Sequence, residues 1–78
     1  MGALAMATQI VMDYTGDTRH DFDPQNQEAL LEAERRFKKL TGAGFTAATR
    51  SLAGEPTLTR RFDPSAEETL FYPRLVGG

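Results

Sequence analysis

The chain has 78 residues, which is enough for one hydrophobic core and too short for a second domain. It contains no cysteine and a single histidine, so its composition excludes a disulfide framework and a thiolate metal site and argues against a structural metal. We expect no cofactor. Nine basic and eleven acidic residues give a net charge of −2, which argues against a nucleic-acid-binding protein.

The sequence predicts neither a secretory signal nor a transmembrane segment. No apolar run approaches the ~20 residues that cross a bilayer, and the opening residues lack the charged leader of a secretory signal. These features predict a cytoplasmic protein that does not bind a membrane. Residues 1–6 are interpreted as a tag or a disordered N terminus, residues 7–73 as a single domain, and residues 74–78 as a flexible tail.

The first predicted element is a β-hairpin. Residues 8–14, TQIVMDY, alternate with a period of two, which is typical of a half-buried strand. Gly16, in the TGDT sequence that follows, predicts a hairpin turn with a positive φ. Residues 18–22 then predict a returning strand that ends at Phe22.

A helix is predicted over about residues 24–41. Its apolar residues recur at spacings of three and four, which places them on one face: Leu30, Ala33, Phe37 and Leu40. On the exposed side, Glu32 and Arg36 have the i,i+4 spacing of an ion pair. Gly42 is predicted to end the helix in the left-handed conformation.

Two segments of the chain are nearly identical, TRHDFDP at 18–24 and TRRFDP at 59–64. In each copy a phenylalanine is predicted to end a strand and fill the core, an aspartate to cap a helical turn, and a proline to begin that turn. The residues are Phe22, Asp23 and Pro24 in the first copy and Phe62, Asp63 and Pro64 in the second. The repeat therefore indicates one local structure formed twice, with a duplicated functional loop as the alternative.

The second half of the chain predicts a second hairpin and a last strand. Residues 45–52 and 57–62 are separated by the turn sequence AGEP, residues 63–68 favour a short helical turn, and residues 69–73 predict a final short strand. We therefore expect an α+β fold of two layers. The order is β-hairpin–helix–β-hairpin, which is β-grasp-like, with one helix packed on a small, mostly antiparallel sheet.

Catalytic chemistry is weakly indicated. His20 lies beside Asp21 and Asp23 in sequence, which is compatible with a general base oriented by a carboxylate, or with a plain histidine at the sheet margin. Ser51 and Ser65 occupy strand-end and capping contexts rather than a nucleophile setting. The sequence therefore predicts a protein that is not an enzyme.

Basic residues concentrate in the second half and supply the candidate binding site. If the last hairpin pairs, Arg50 and Arg60 or Arg61 come together on an exposed sheet face, with Phe45, Phe71 and Tyr72 nearby. The candidate partner-binding residues are Arg50, Arg60, Arg61, Tyr72 and Arg74. Such a patch favours either a solvated sheet face or weak binding of single-stranded nucleic acid by stacking and charge.

The opening QIVMDYTGDTRHDFDP resembles the first hairpin of ubiquitin-like β-grasp modifiers, and the chain ends in LVGG as those modifiers end in a Gly-Gly tail. The resemblance implies that Gly77 and Gly78 form a conjugation tail activated by adenylation, with Arg74 and Leu75 as its recognition neighbours.

A second resemblance covers about residues 15–78. TGDTRHDFDP, GAGFTA, RRFDPSAEE and the closing VGG are similar to short bacteriophage and prophage proteins that carry no assigned activity.

These observations lead to a ranked set of functional hypotheses. The first is a small, non-enzymatic protein-interaction module, of phage or mobile-element origin, that uses an open sheet face or a sheet edge to bind a protein partner. A sheet edge also allows a homo-oligomer. The alternative is a ubiquitin-like modifier, and the third hypothesis is the single-stranded nucleic-acid binder.

Overall fold

The computed structural model describes residues 6–51 and 54–73. In chain order, the elements are β1 (Ala7–Asp13), β2 (Gly16–Phe22), α1 (Gln27–Gly42), β3 (Phe45–Arg50), β4 (Thr57–Thr59) and β5 (Glu68–Pro73). The five strands form one sheet in the order β2-β1-β5-β3-β4, and α1 packs on one face of it. The predicted two-layer α+β fold is confirmed. The predictions for residues 1–5 and 74–78 lie outside the described residues.

The sheet is mixed, with one parallel pair. Strands β1 and β2, β3 and β4, and β3 and β5 are antiparallel, whereas β1 and β5 are parallel. The last strand of the chain therefore lies in the centre of the sheet. Its residues Thr69, Leu70 and Phe71 are all buried, as expected for a strand with neighbours on both sides. Pro73 lies at its end, opposite Phe45, a position that suits a residue without a backbone N–H donor.

The first hairpin closes as predicted. Asp13 pairs with Gly16 across a two-residue loop, and Gly16 has a φ of 123°, a conformation that a residue without a side chain adopts readily. The Asp13 carboxylate accepts hydrogen bonds from the Thr15 hydroxyl at 2.6 Å and the Thr15 amide at 2.8 Å. These bonds stabilise the charged form and lower the pKa of Asp13 below its usual range.

The helix ends differ from those predicted. Asn26 caps α1, because its side-chain oxygen accepts a hydrogen bond from the Ala29 amide at 3.1 Å. The predicted cap, Asp23, lies in the turn before the helix. At the other end, Gly42 is still helical, and the residue with a positive φ is Gly44, at 103°. The chain therefore turns away from the helix two residues later than the sequence indicated.

The repeated Phe-Asp-Pro segments form the same turn twice. The Asp23 carbonyl accepts from the Asn26 amide at 3.0 Å, and the Asp63 carbonyl accepts from the Ala66 amide at 3.2 Å. In both turns the aspartate carboxylate also accepts from the amide two residues later, at 2.9 Å. A tight turn, rather than the predicted helical turn, is thus the local structure that the repeat encodes.

Aromatic rings link the two parts of the core. Phe62 lies between Phe22, with ring centroids 6.4 Å apart, and Phe37, at 6.0 Å. Phe37 in turn meets Phe71 edge to face at 5.7 Å. The predicted apolar face of α1 is confirmed, with these members in or against the core: Leu30, Ala33, Phe37 and Leu40.

Strand β4 is shorter than predicted. It ends at Thr59 rather than at residue 62, so Arg60 and Arg61 are outside the sheet. A continuous strand would place Leu58, Arg60 and Phe62 on one face. Ending the strand early lets Phe62 turn into the core while the two arginines stay exposed.

Candidate binding surfaces

One face of the sheet has no helix of the described residues packed on it, and we call it the open face. Val11, Ala47 and Phe71 pack with Phe37 of α1, and side chains alternate along a strand, so their neighbours in sequence point to the opposite side. Within residues 6–51 and 54–73 the only helix is α1. The strand residues of the open face include Thr8, Ile10, Met12, Thr46, Ala48, Arg50, Leu58, Glu68, Leu70 and Tyr72.

An apolar row crosses the open face. The pairing places Ile10 beside Leu70, Leu70 beside Ala48, and Ala48 beside Leu58. Neighbouring strands lie ~4.8 Å apart, so the row is ~14 Å long. Leu70 and Ala48 form its floor, at 8% and 1% exposed, whereas Leu58 at its end is 69% exposed. Met12 and Tyr72, on the same face, are half-buried.

A polar border lies on one side of the apolar row. Arg50 donates a hydrogen bond from Nε to Glu68 at 2.7 Å, directly across the β3–β5 pair. Thr8 donates to Asp21 at 2.8 Å on the same side of the row. The open face therefore combines an apolar stripe with charges of both signs along one edge.

The candidate residues from the sequence do not form one site. Tyr72 and Arg50 lie on the open face, beside the apolar row. Arg60 and Arg61 follow the far end of β4, so Arg50 and Arg60 lie beyond opposite ends of the β3–β4 pairing and do not come together. Phe71 is fully buried in the core and has no surface for stacking.

The C-terminal candidates Arg74, Gly77 and Gly78 lie outside the described residues. The conjugation tail that the ubiquitin-like resemblance implies therefore stays a prediction.

Arg60 and Arg61 instead line a second surface, which we call the basic groove. It consists of two adjoining clefts of about 430 and 360 Å³ that share Thr41 and Arg60. The groove runs between the C-terminal half of α1 and the edge of β3 and β4. Its cations are Lys38, Arg60 and Arg61, and all three are exposed.

A buried glutamine of β1, Gln9, connects the sheet to α1. Gln9 is fully buried and donates from Nε2 to the Ala33 carbonyl at 3.0 Å. Its Oε1 accepts a hydrogen bond from Arg36 at 2.7 Å. The i,i+4 spacing predicts a pair of Arg36 with Glu32. In the structure, the Arg36 side chain donates a hydrogen bond to Gln9 of the sheet instead. The signal available in the sequence was that Gln9 shares a face with Val11.

His20 lies opposite Gln9 on β2, in a cleft between β2 and α1. Burial lowers the pKa of His20 below its usual value of 6.5, and the positive charge of Arg36 lowers it further. The other charged residues that line the cleft are Arg19, Asp21, Asp23 and Glu32. No hydroxyl or thiol nucleophile is among the lining residues of this cleft.

The low pKa of His20 predicts a loss of stability in mild acid. Below about pH 6.5 the unfolded chain binds a proton on this side chain before the folded chain does, so stability falls as the pH drops from 6.5 towards the folded-state pKa. We expect the melting temperature to fall less over this range in His20→Gln than in the unchanged protein. Melting curves by circular dichroism between pH 7.5 and 5 measure this, and equal slopes for the two proteins would contradict it.

The described residues show neither a metal-ligand cluster nor a membrane-spanning helix. Residues 6–51 and 54–73 contain no group of three His, Asp or Glu side chains arranged to hold a metal ion. No helix in that part of the chain combines the length and the apolar character needed to cross a bilayer.

Comparison with protein-family models, curated proteins and solved structures finds no match to this chain.

Proposed function

We propose that this protein is a non-enzymatic interaction module whose open face binds an amphipathic helix of a protein partner. The observation that carries the proposal is the apolar row of Ile10, Leu70, Ala48 and Leu58, which crosses the sheet on the side opposite α1. A partner helix on this side would bury the exposed side chain of Leu58 and the half-buried side chain of Ile10.

The dimensions of the apolar row suit a helix. A helix rises 1.5 Å per residue, so a row of ~14 Å accommodates about nine residues, or between two and three turns. Apolar side chains at i, i+4 and i+7 of the partner would follow it. Ala48 is 1% exposed, so the partner would contact mainly Leu58 and Ile10 at the two ends of the row.

The polar border gives the bound helix a direction. Arg50 and Glu68 lie on one side of the apolar row. Asp21 lies on the same side, on β2, where it pairs with Thr8 of β1. A partner helix with charged residues along the matching edge gains favourable contacts in one orientation only. Such contacts contribute to specificity more than to affinity.

Affinity capture from the source cell with paired variants tests this proposal. Leu58→Asp and Ile10→Glu place a charge on the apolar row, whereas Leu31→Asp alters an exposed leucine of α1, 53% exposed, on the other side of the molecule. We expect the partner to be retained by the unchanged protein and by Leu31→Asp. Titration with the purified partner should show about tenfold or greater weakening in the two sheet variants.

Three outcomes would overturn the proposal. The first is a captured protein that binds Leu58→Asp as well as Leu31→Asp, and the second is the capture of no protein at all. The third is self-association in sedimentation experiments that Leu58→Asp abolishes, since the open face would then bind a second copy of this chain. Far-UV circular dichroism confirms that each variant is folded.

A further inference from the structure

We propose that the basic groove binds an extended acidic peptide segment of a partner protein, at a site separate from the open face. The peptide would place apolar side chains against Phe45 on the helix side of the sheet and Leu58 at its edge, and carboxylates on Lys38, Arg60 and Arg61. Two residues near the sheet edge, Thr46 and Leu58, belong to both surfaces.

The groove exists because β4 is short. Strand β4 covers only Ala47, Ala48 and Thr49 of β3, so the outer edge of β3 at Phe45 and Thr46 has no strand partner within residues 6–51 and 54–73. Both residues line the first cleft, together with Leu58 and Thr59. An unpaired strand edge beside apolar walls is a template for an added extended segment.

The cations of the groove are available to a ligand. The ion pairs in the described part of the chain are Arg19 with Asp21 and Arg50 with Glu68, so no carboxylate of the described residues lies at ion-pairing distance from Lys38, Arg60 or Arg61. Among the described residues, the one acidic side chain that lines the groove is that of Glu34. With three cations against one carboxylate, this surface is positive in a chain whose net charge is −2.

Charge and shape favour a peptide over nucleic acid. The acidic balance of the whole chain repels a long polyanion, whereas a short peptide meets only the local positive surface. Phe62 is packed against Phe22 and Phe37, so its ring faces are not a stacking platform for bases. An edge of a β-strand also offers backbone donors and acceptors that an extended peptide, and not a nucleic acid, pairs with in register.

Fluorescence anisotropy with synthetic peptides tests the inference. The probe is a short fluorescein-labelled peptide with a central leucine-valine pair followed by glutamates, and the control peptide carries glutamines instead. We expect the acidic peptide to bind, its affinity to fall as salt is raised, and the glutamine peptide to bind about tenfold more weakly or worse. Backbone amide shifts in the unchanged protein should concentrate at Phe45, Thr46, Thr59 and Arg60.

A matched pair of variants separates this site from general charge effects. Arg60→Glu with Arg61→Glu should abolish the salt-dependent binding. Arg35→Glu with Lys39→Glu changes the net charge equally, on an exposed side of α1 outside the two clefts, and should leave most of the affinity. Ile10→Glu, on the open face, should not affect the peptide either.

The remaining outcomes count against the inference. It is overturned if the acidic peptide does not bind, if both double variants weaken it equally, or if the amide shifts lie on the open face. It is also overturned if an oligothymidine binds more tightly than the peptide and competes for Arg60 and Arg61. Since Ile10→Glu and the Arg60/Arg61 variant affect different surfaces, failure here leaves the proposed function of the open face standing.

Discussion

The substitution Phe71→Ala is expected to destabilise the protein by ~3–5 kcal/mol, the largest loss among the single substitutions that we propose. Phe71 is fully buried on the central strand β5, and its ring packs edge to face on Phe37 of α1 at 5.7 Å. Truncating a buried phenylalanine to alanine removes its burial energy and leaves a cavity, at a combined cost of ~3–5 kcal/mol. A domain of this size has a free energy of unfolding of roughly 4–12 kcal/mol, so the loss takes most of it at the lower end.

Urea denaturation followed by far-UV circular dichroism measures the effect of Phe71→Ala. The matched control is Tyr14→Ala in the β1–β2 loop, because Tyr14 is 98% exposed and its removal should change stability by less than ~0.5 kcal/mol. A loss below ~1 kcal/mol for Phe71→Ala would show that this ring does not hold α1 on the sheet.

The second large effect is expected at Gln9. Replacing it with leucine keeps a side chain of similar size but removes both hydrogen bonds, and Arg36 then loses an acceptor on the partly buried side of the helix. A polar group left without its partner costs ~1–3 kcal/mol, so Gln9→Leu should destabilise the protein by about that amount. The free energy of unfolding in urea measures it.

A double-mutant cycle separates this hydrogen bond from packing. Adding Arg36→Leu to Gln9→Leu removes the group left without a partner, so the double variant should recover most of the loss. Additive losses from the two substitutions would mean that the Gln9–Arg36 contact does not contribute to stability and that leucine simply packs poorly at position 9.

Local features of the fold could be predicted from the sequence because short-range chemistry determines them. The spacing of Leu30, Ala33 and Phe37 predicts one helix face, and Gly16 predicts a hairpin turn. The repeated Phe-Asp-Pro segment predicts a repeated local structure. The predicted ends of the helix were less accurate. Asp23 and Asn26 are both good capping residues, and the turn that contains Pro24 makes Asn26 the residue at the start of the helix.

The order of the strands could not be predicted in the same way. Whether residues 68–73 lie at an edge or in the centre depends on pairing with strands far apart in sequence, and no local pattern encodes it. The candidate sites depend on that pairing. Ile10, Leu70 and Leu58 become one row only through the registers of three strand pairs, and Arg50 is separated from Arg60 for the same reason.

The central position of β5 has a consequence for protein synthesis. The β1–β2 and β3–β4 ribbons have no direct pairing with each other, and β5 is the strand that joins them. A two-stranded ribbon is marginally stable in water, so a nascent chain whose residues 68–73 are still inside the ribosome carries two unfinished half-sheets. Stalled ribosome-bound chains that carry a C-terminal linker should therefore stay sensitive to protease while the linker is too short to bring Pro73 out of the exit tunnel, and become resistant in a single step once it is long enough.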